Sequence, residues 1–111
     1  MSAVPNPSDD HSKRDFLRVE VGLAAQLITL EGAPKSVRIL DLSQGGARIA
    51  VPESMSTVGI RDCLLSWLNF EAFGSVGRRT GNEIAIVFDE PLRPVVIKKT
   101  KDHSPFVVRS L

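Results

Sequence analysis

Every second residue between positions 19 and 27 is apolar: Val19, Val21, Leu23, Ala25 and Leu27. A period of two is the spacing of a strand with one buried face, because successive side chains of a strand point to opposite sides. The alternation extends to about Leu30, and the pattern then returns in short pieces down the chain. Glu31-Gly32-Ala33-Pro34 reads as a turn, since glycine and proline each fix a backbone choice. Val37 and Ile39 carry the alternation to Asp41, and Gln44-Gly45-Gly46 breaks it. Residues 47–51 resume a strand that Pro52 ends, and residues 55–59 read as a loop. Residues 63–68 and 73–79 suit two further strands, the second weakened by Gly74 and Gly77. A Thr80-Gly81-Asn82 turn leads to a last strand carrying Ile84, Ile86 and Phe88. Six short strands, joined by turns with no long helical pattern between them, predict an all-β, antiparallel barrel or sandwich.

The two ends differ from this middle. Residues 1–12 hold Pro5, Pro7, Asp9 and Asp10, and read as a flexible tail. After Glu90, the prolines at 91, 94 and 105 forbid a long uninterrupted helix. Val95-Val96-Ile97 suits either a short helix or an edge strand. Lys98, Lys99 and Lys101 form a basic run that reads as a solvated surface or as a contact for a partner or phosphate. The expected organisation is a tail over 1–12, one barrel domain over 13–90 and an extension over 91–111.

Composition excludes several classes of function. A chain of 111 residues has a single domain as its natural prior. A net charge of +1 argues against bulk nucleic-acid binding, so any anion site must come from local clustering. Cys63 is the only cysteine, which rules out an internal disulfide and a CxxC motif. Its neighbours Leu64 and Leu65 suit a buried, inert thiol. His11 and His103 stand in the terminal segments with no ligand at metal-binding spacing, so no metal is expected. No serine–histidine–acid or cysteine–histidine set is credible, and Gly74-x-x-Gly77 lacks the Lys-Ser/Thr of a phosphate loop. The expectation is a protein that is not an enzyme. No apolar run reaches the ~18 residues of a membrane span, and the first residues lack the apolar centre of a signal peptide. A soluble, cytoplasmic protein is expected. Phe16, Phe70, Phe73, Phe88 and Phe106 are read as mostly core, not as a base-stacking platform.

Two motifs carry chemistry. The first is Arg14-Asp15-Phe16-Leu17-Arg18, an RxxxR preceded by Lys13. The second is Asp41-Leu42-Ser43-Gln44-Gly45-Gly46, a DxSxxG, followed in the next strand by Arg48. Guanine accepts hydrogen bonds at O6 and N7, and an arginine fork matches that pair. Its N1–H and N2–H₂ groups donate, and a carboxylate such as Asp41 accepts from both. Guanidinium planes also stack on bases, which lysine cannot do. Arg14 belongs to the tail and Arg18 to the strand entry, so a ligand held by both would order the tail. Glycines at 45 and 46 permit positive φ and close backbone approach, and Ser43 can turn a hydroxyl toward an anion.

In this order, with strand-like sequence between them, the motifs resemble the PilZ domain family. The resemblance covers roughly residues 13–89. It extends to the closing segment Ile84-Ala85-Ile86, where Ala85 stands in place of the family's common glycine. It implies a six-stranded antiparallel barrel with a C-terminal helix and no cofactor. The implied ligand is cyclic di-GMP, held by Lys13, Arg14, Arg18, Asp41, Ser43, Gly45, Gly46 and Arg48. Lys13-Arg14 partly matches the basic pair with which the family binds an intercalated dimer of ligand, which leaves stoichiometry open. The implied role is a bacterial second-messenger receptor acting on an unidentified downstream protein in motility, attachment and biofilm or exopolysaccharide control. The alternative is a PilZ-like interaction module that binds no nucleotide.

Overall fold

A computed structural model describes residues 18–30, 32–57 and 60–103. The expected tail over 1–12, with Lys13 and Arg14, lies outside these residues, as do positions 104–111. Six strands form: β1 (Val19–Ile28), β2 (Lys35–Leu42), β3 (Gly46–Ala50), β4 (Asp62–Trp67), β5 (Phe70–Thr80) and β6 (Glu83–Phe88). They close into one antiparallel barrel in the order β1-β2-β3-β6-β5-β4. Closure occurs where β1 meets β4, with Leu27 opposite Leu65. A closed barrel leaves none of these strands with an open edge.

The alternation seen in the sequence fills the interior. Val21, Leu27, Ile39, Leu42, Ile49, Leu65, Ile84 and Ile86 are almost wholly buried. β5 runs eleven residues and starts at Phe70, so its glycines do not shorten it. Gly74 faces inward against β6, where a Cβ would overlap the Val87 carbonyl oxygen. The close approach of the two backbones therefore depends on the missing side chain. Phe73 departs from expectation: it points outward and is 65% exposed. Its neighbour Gly74 takes the inward position, and the period of two sends Phe73 to the other face.

The residues after Glu90 form a helix, α1 (Pro94–Asp102). Pro91 precedes it and Pro94 opens it, so neither interrupts it. Pro94 occupies the first turn, where a backbone N–H has no helical partner to lose. Lys99 and Lys101 sit in the last turn, where cations suit the helix dipole. Ile97 and Thr100 are buried against the barrel. The Trp67 indole donates to Thr100 Oγ1 at 2.9 Å, and that hydroxyl donates to the Val96 carbonyl at 2.7 Å. Trp67 also stacks on Phe88, with ring centroids 6.4 Å apart. One tryptophan thus joins helix, β4 and β6. No described helix is long and apolar enough to cross a membrane.

Candidate functional site

The DxSxxG motif forms the hairpin between β2 and β3. Strict alternation from Val37 and Ile39 would turn Asp41 into the core. It does not, because β2 carries a bulge: Ile39 pairs with Ile49, and Asp41 with Arg48, leaving Leu40 as an extra residue. A bulge reverses the parity of the residues beyond it. Leu42 is consequently buried, and Asp41 reaches the outer surface with its side chain 15% exposed. This avoids the large cost of an unpaired carboxylate in the core.

The hairpin is closed by its own groups. The Ser43 N–H donates to the Gly46 carbonyl at 2.9 Å, and the Ser43 hydroxyl donates to the same oxygen at 3.2 Å. Both donors therefore face into the turn. The Gly45 carbonyl accepts from Phe88 N–H at 2.9 Å. Gln44 ties the hairpin to the segment before α1: its side chain donates to the Leu92 carbonyl, and its own carbonyl accepts from Leu92 N–H, each at 2.8 Å.

Neither Gly45 nor Gly46 adopts positive φ. Their reasons differ. A Cβ on Gly46 would overlap the Ile86 carbonyl oxygen, because β3 and β6 pair closely there. A Cβ on Gly45 would meet nothing within 4 Å. Gly46 thus serves the barrel, while Gly45 leaves open space at the surface.

Arg48 stands directly across from Asp41 on β2 and from Ala85 on β6. Its Nε donates to Asp41 at 2.8 Å, and its Nη1 donates to Glu83 at 2.7 Å. The hydrogen bond to Asp41, and then that to Glu83, raises the guanidinium's pKa further. Arg48 is a fixed cation whose side chain remains 48% exposed.

Arg18, Asp41, Ser43, Gly45, Gly46 and Arg48 line one open hollow of about 480 Å³, with Ala47 and the β6 residues 85–87 as its floor. The volume falls in the ~300–1,000 Å³ range of small-molecule sites. Arg18 is exposed at the entry to β1, one residue before the Val19–Leu42 pair, and so comes to the hairpin end of β2. Six of the eight expected site residues therefore share one surface, and Lys13 and Arg14 lie outside the described residues. Sequence reasoning misses the contribution of β6. Glu83 and Val87 reach the site only because β3 pairs with β6 and not with β4, which no local pattern announces. Among the described residues, no group of three or more His, Cys, Asp or Glu could hold a metal ion.

No protein-family model matches the chain, and no curated protein matches it.

Proposed function

We propose that this chain is a PilZ-type receptor for cyclic di-GMP that has no catalytic activity and acts through a partner protein. The observation that carries the reading is the meeting of Arg18 with the Asp41–Gly46 hairpin at one hollow. An exposed arginine at the strand entry, a surface carboxylate and an anchored second arginine are the groups a guanine nucleotide requires. Arg18 supplies an exposed guanidinium for O6 and N7 or for stacking. Asp41 supplies the acceptor for N1–H and N2–H₂. Arg48 adds positive charge for a phosphate, and Gly45 leaves room for the ligand to lie close to the backbone. Lys13 and Arg14 complete the set from the preceding segment. The resemblance implies roles in motility, attachment and exopolysaccharide control, and the proposed setting is the cytoplasm.

Calorimetric titration with cyclic di-GMP, with cyclic di-AMP as control, tests this reading and gives the stoichiometry. Saturable binding of the guanine ligand alone is the expected result. Absence of heat for both ligands would remove the nucleotide from the proposal.

One observation favours the alternative, a PilZ-like module that binds no nucleotide. The motif's polar groups already have partners: Asp41 holds Arg48, and Ser43 closes its own turn. In that case the hairpin is a structural clasp, and the same titration decides.

A further inference from the structure

We propose that the outer face of β4, β5 and β6 docks a basic, amphipathic segment of a partner protein. The face follows from register. Phe73 pairs with Leu64 on β4, and Leu64 pairs with Ile28 on β1, so three apolar side chains form a row across the barrel wall. Val87 lies diagonally beyond Phe73, since its partner on β5 is Ser75. Phe73 is 65% and Val87 54% exposed. Large apolar groups gathered on one exposed face mark an interaction surface more often than solitary ones do. Aromatic residues in particular are the usual anchors of interfaces.

Charge identifies the partner. Around Phe73 the outward positions are Asp62, Leu64 and Ser66 on β4, and Glu71, Phe73 and Ser75 on β5, with the exposed Arg61 and Arg78 beyond them at one end. On β6 and just past its end they are Ala85, Val87 and Asp89. Of these nine positions three are acidic and none is basic, the arginines standing outside the patch. Among the described residues, none of these three carboxylates forms an ion pair. An apolar row flanked by uncompensated acids complements apolar residues flanked by lysine or arginine. The barrel is closed, so the partner cannot add a strand and must bind through side chains.

Val87 also lines the hollow that holds Arg18 and Asp41. The docking face and the candidate nucleotide site are therefore contiguous. A basic partner of this kind is the downstream protein that the proposed function calls for, and its link to signalling rests on that reading. Docking itself is tested without nucleotide, so its failure leaves the nucleotide reading standing.

The experiment is an NMR titration of isotope-labelled protein with a short synthetic peptide of alternating leucine and lysine. A leucine–glutamate peptide of the same length serves as control. Amide shifts should concentrate at residues 62–66, 71–75 and 85–89, weaken as salt rises, and be absent with the acidic peptide. Phe73→Thr keeps strand propensity at an exposed position and should weaken binding about tenfold. The double variant Glu71→Lys with Asp89→Lys should reverse the preference between the peptides. Shifts elsewhere, equal response to both peptides, or unchanged affinity in Phe73→Thr would overturn the proposal. So would concentration-dependent self-association lost in Phe73→Thr, which would assign the face to a second copy of the chain.

Discussion

The Arg48 guanidinium donates through Nε to the Asp41 carboxylate at 2.8 Å, directly across the β2–β3 pair. The carboxylate that the nucleotide reading assigns to guanine is thus already engaged, and its partner is drawn toward a second acid, Glu83. A ligand phosphate would compete with Glu83 for the same cation.

Glu83→Gln tests that competition. It removes one negative charge beside the hollow and leaves Arg48 in place. Affinity for cyclic di-GMP should rise roughly two- to fivefold, the scale of an exposed ion pair. Glu83 is 43% exposed at its side chain, so thermal stability without ligand should barely move. Calorimetry showing unchanged or weaker binding would mean that Arg48 does not meet the phosphate.

Arg18→Ala and Arg14→Ala should each weaken cyclic di-GMP binding about ten- to hundredfold, through loss of a charge-assisted contact. Arg18 is exposed ahead of β1, so its loss should leave the melting temperature of the free protein in place. Asp41→Asn should cost more for cyclic di-GMP than for any residual cyclic di-AMP binding, because an amide donor opposes the N1–H edge. Equal loss for both ligands would assign Asp41 to holding Arg48 alone.

The two glycines of the motif should separate fold from ligand. Gly46→Ala drives a Cβ into the Ile86 carbonyl and should destabilise the barrel by about 2 kcal/mol or more, because backbone has to move. Gly45→Ala meets open space at ordinary φ, so its melting temperature should hold or rise slightly. Its effect should fall on cyclic di-GMP binding, where the added methyl stands in the ligand's path. Chemical denaturation and calorimetry on both variants check the contrast.

The period of two is enough to read six strands and the antiparallel class, because alternation is a local property of strands. Bulges are not local. Leu40 sits off the parity of Val37 and Ile39, where alternation would place it outside, and only the pairing of Asp41 with Arg48 reveals that β2 gains a residue there. Phe73 reads as core in sequence because aromatic residues usually bury. The inward glycine beside it, needed for β6 to approach, decides otherwise. Val95-Val96-Ile97 suits a helix and an edge strand alike. Proline in the first turn is compatible with helix, and the burial of Ile97 and Thr100 comes from tertiary contact. Of the site, the motif residues are legible, whereas Glu83 and Val87 depend on strand order.

Thr100→Val should unfasten the helix. The change keeps shape but removes the acceptor for the buried Trp67 indole N–H. An unsatisfied buried donor costs about 1–3 kcal/mol. The denaturation midpoint should fall accordingly, and Trp67 fluorescence should shift as the indole seeks water. Thr100→Ser, which keeps the hydroxyl, should restore most of the loss. A Val variant as stable as the parent would mean that the helix is held by Ile97 alone.

Cys63 gives a prediction in pH. The residue is 4% exposed, and its thiol pKa is pushed up to about 11, chiefly by burial and further by the negative charges of Asp62 and Asp89. The native state therefore keeps its proton where the unfolded chain, near the ordinary value of 9.0, has lost it. Between about pH 9 and 11 the native state binds more protons, so stability falls as pH rises. The contribution is fully present below 9 and is lost by about 11. Urea midpoints measured across that window should drop more steeply for the parent than for Cys63→Ala, which has no thiol to ionise. The Ala variant starts lower, because it leaves space in the core, so the slopes and not the absolute values carry the comparison. At pH 8 a thiol reagent should label native protein slowly and denatured protein at once. Parallel pH slopes together with rapid native labelling would show that Cys63 is reached by solvent and that its burial does not hold the proton.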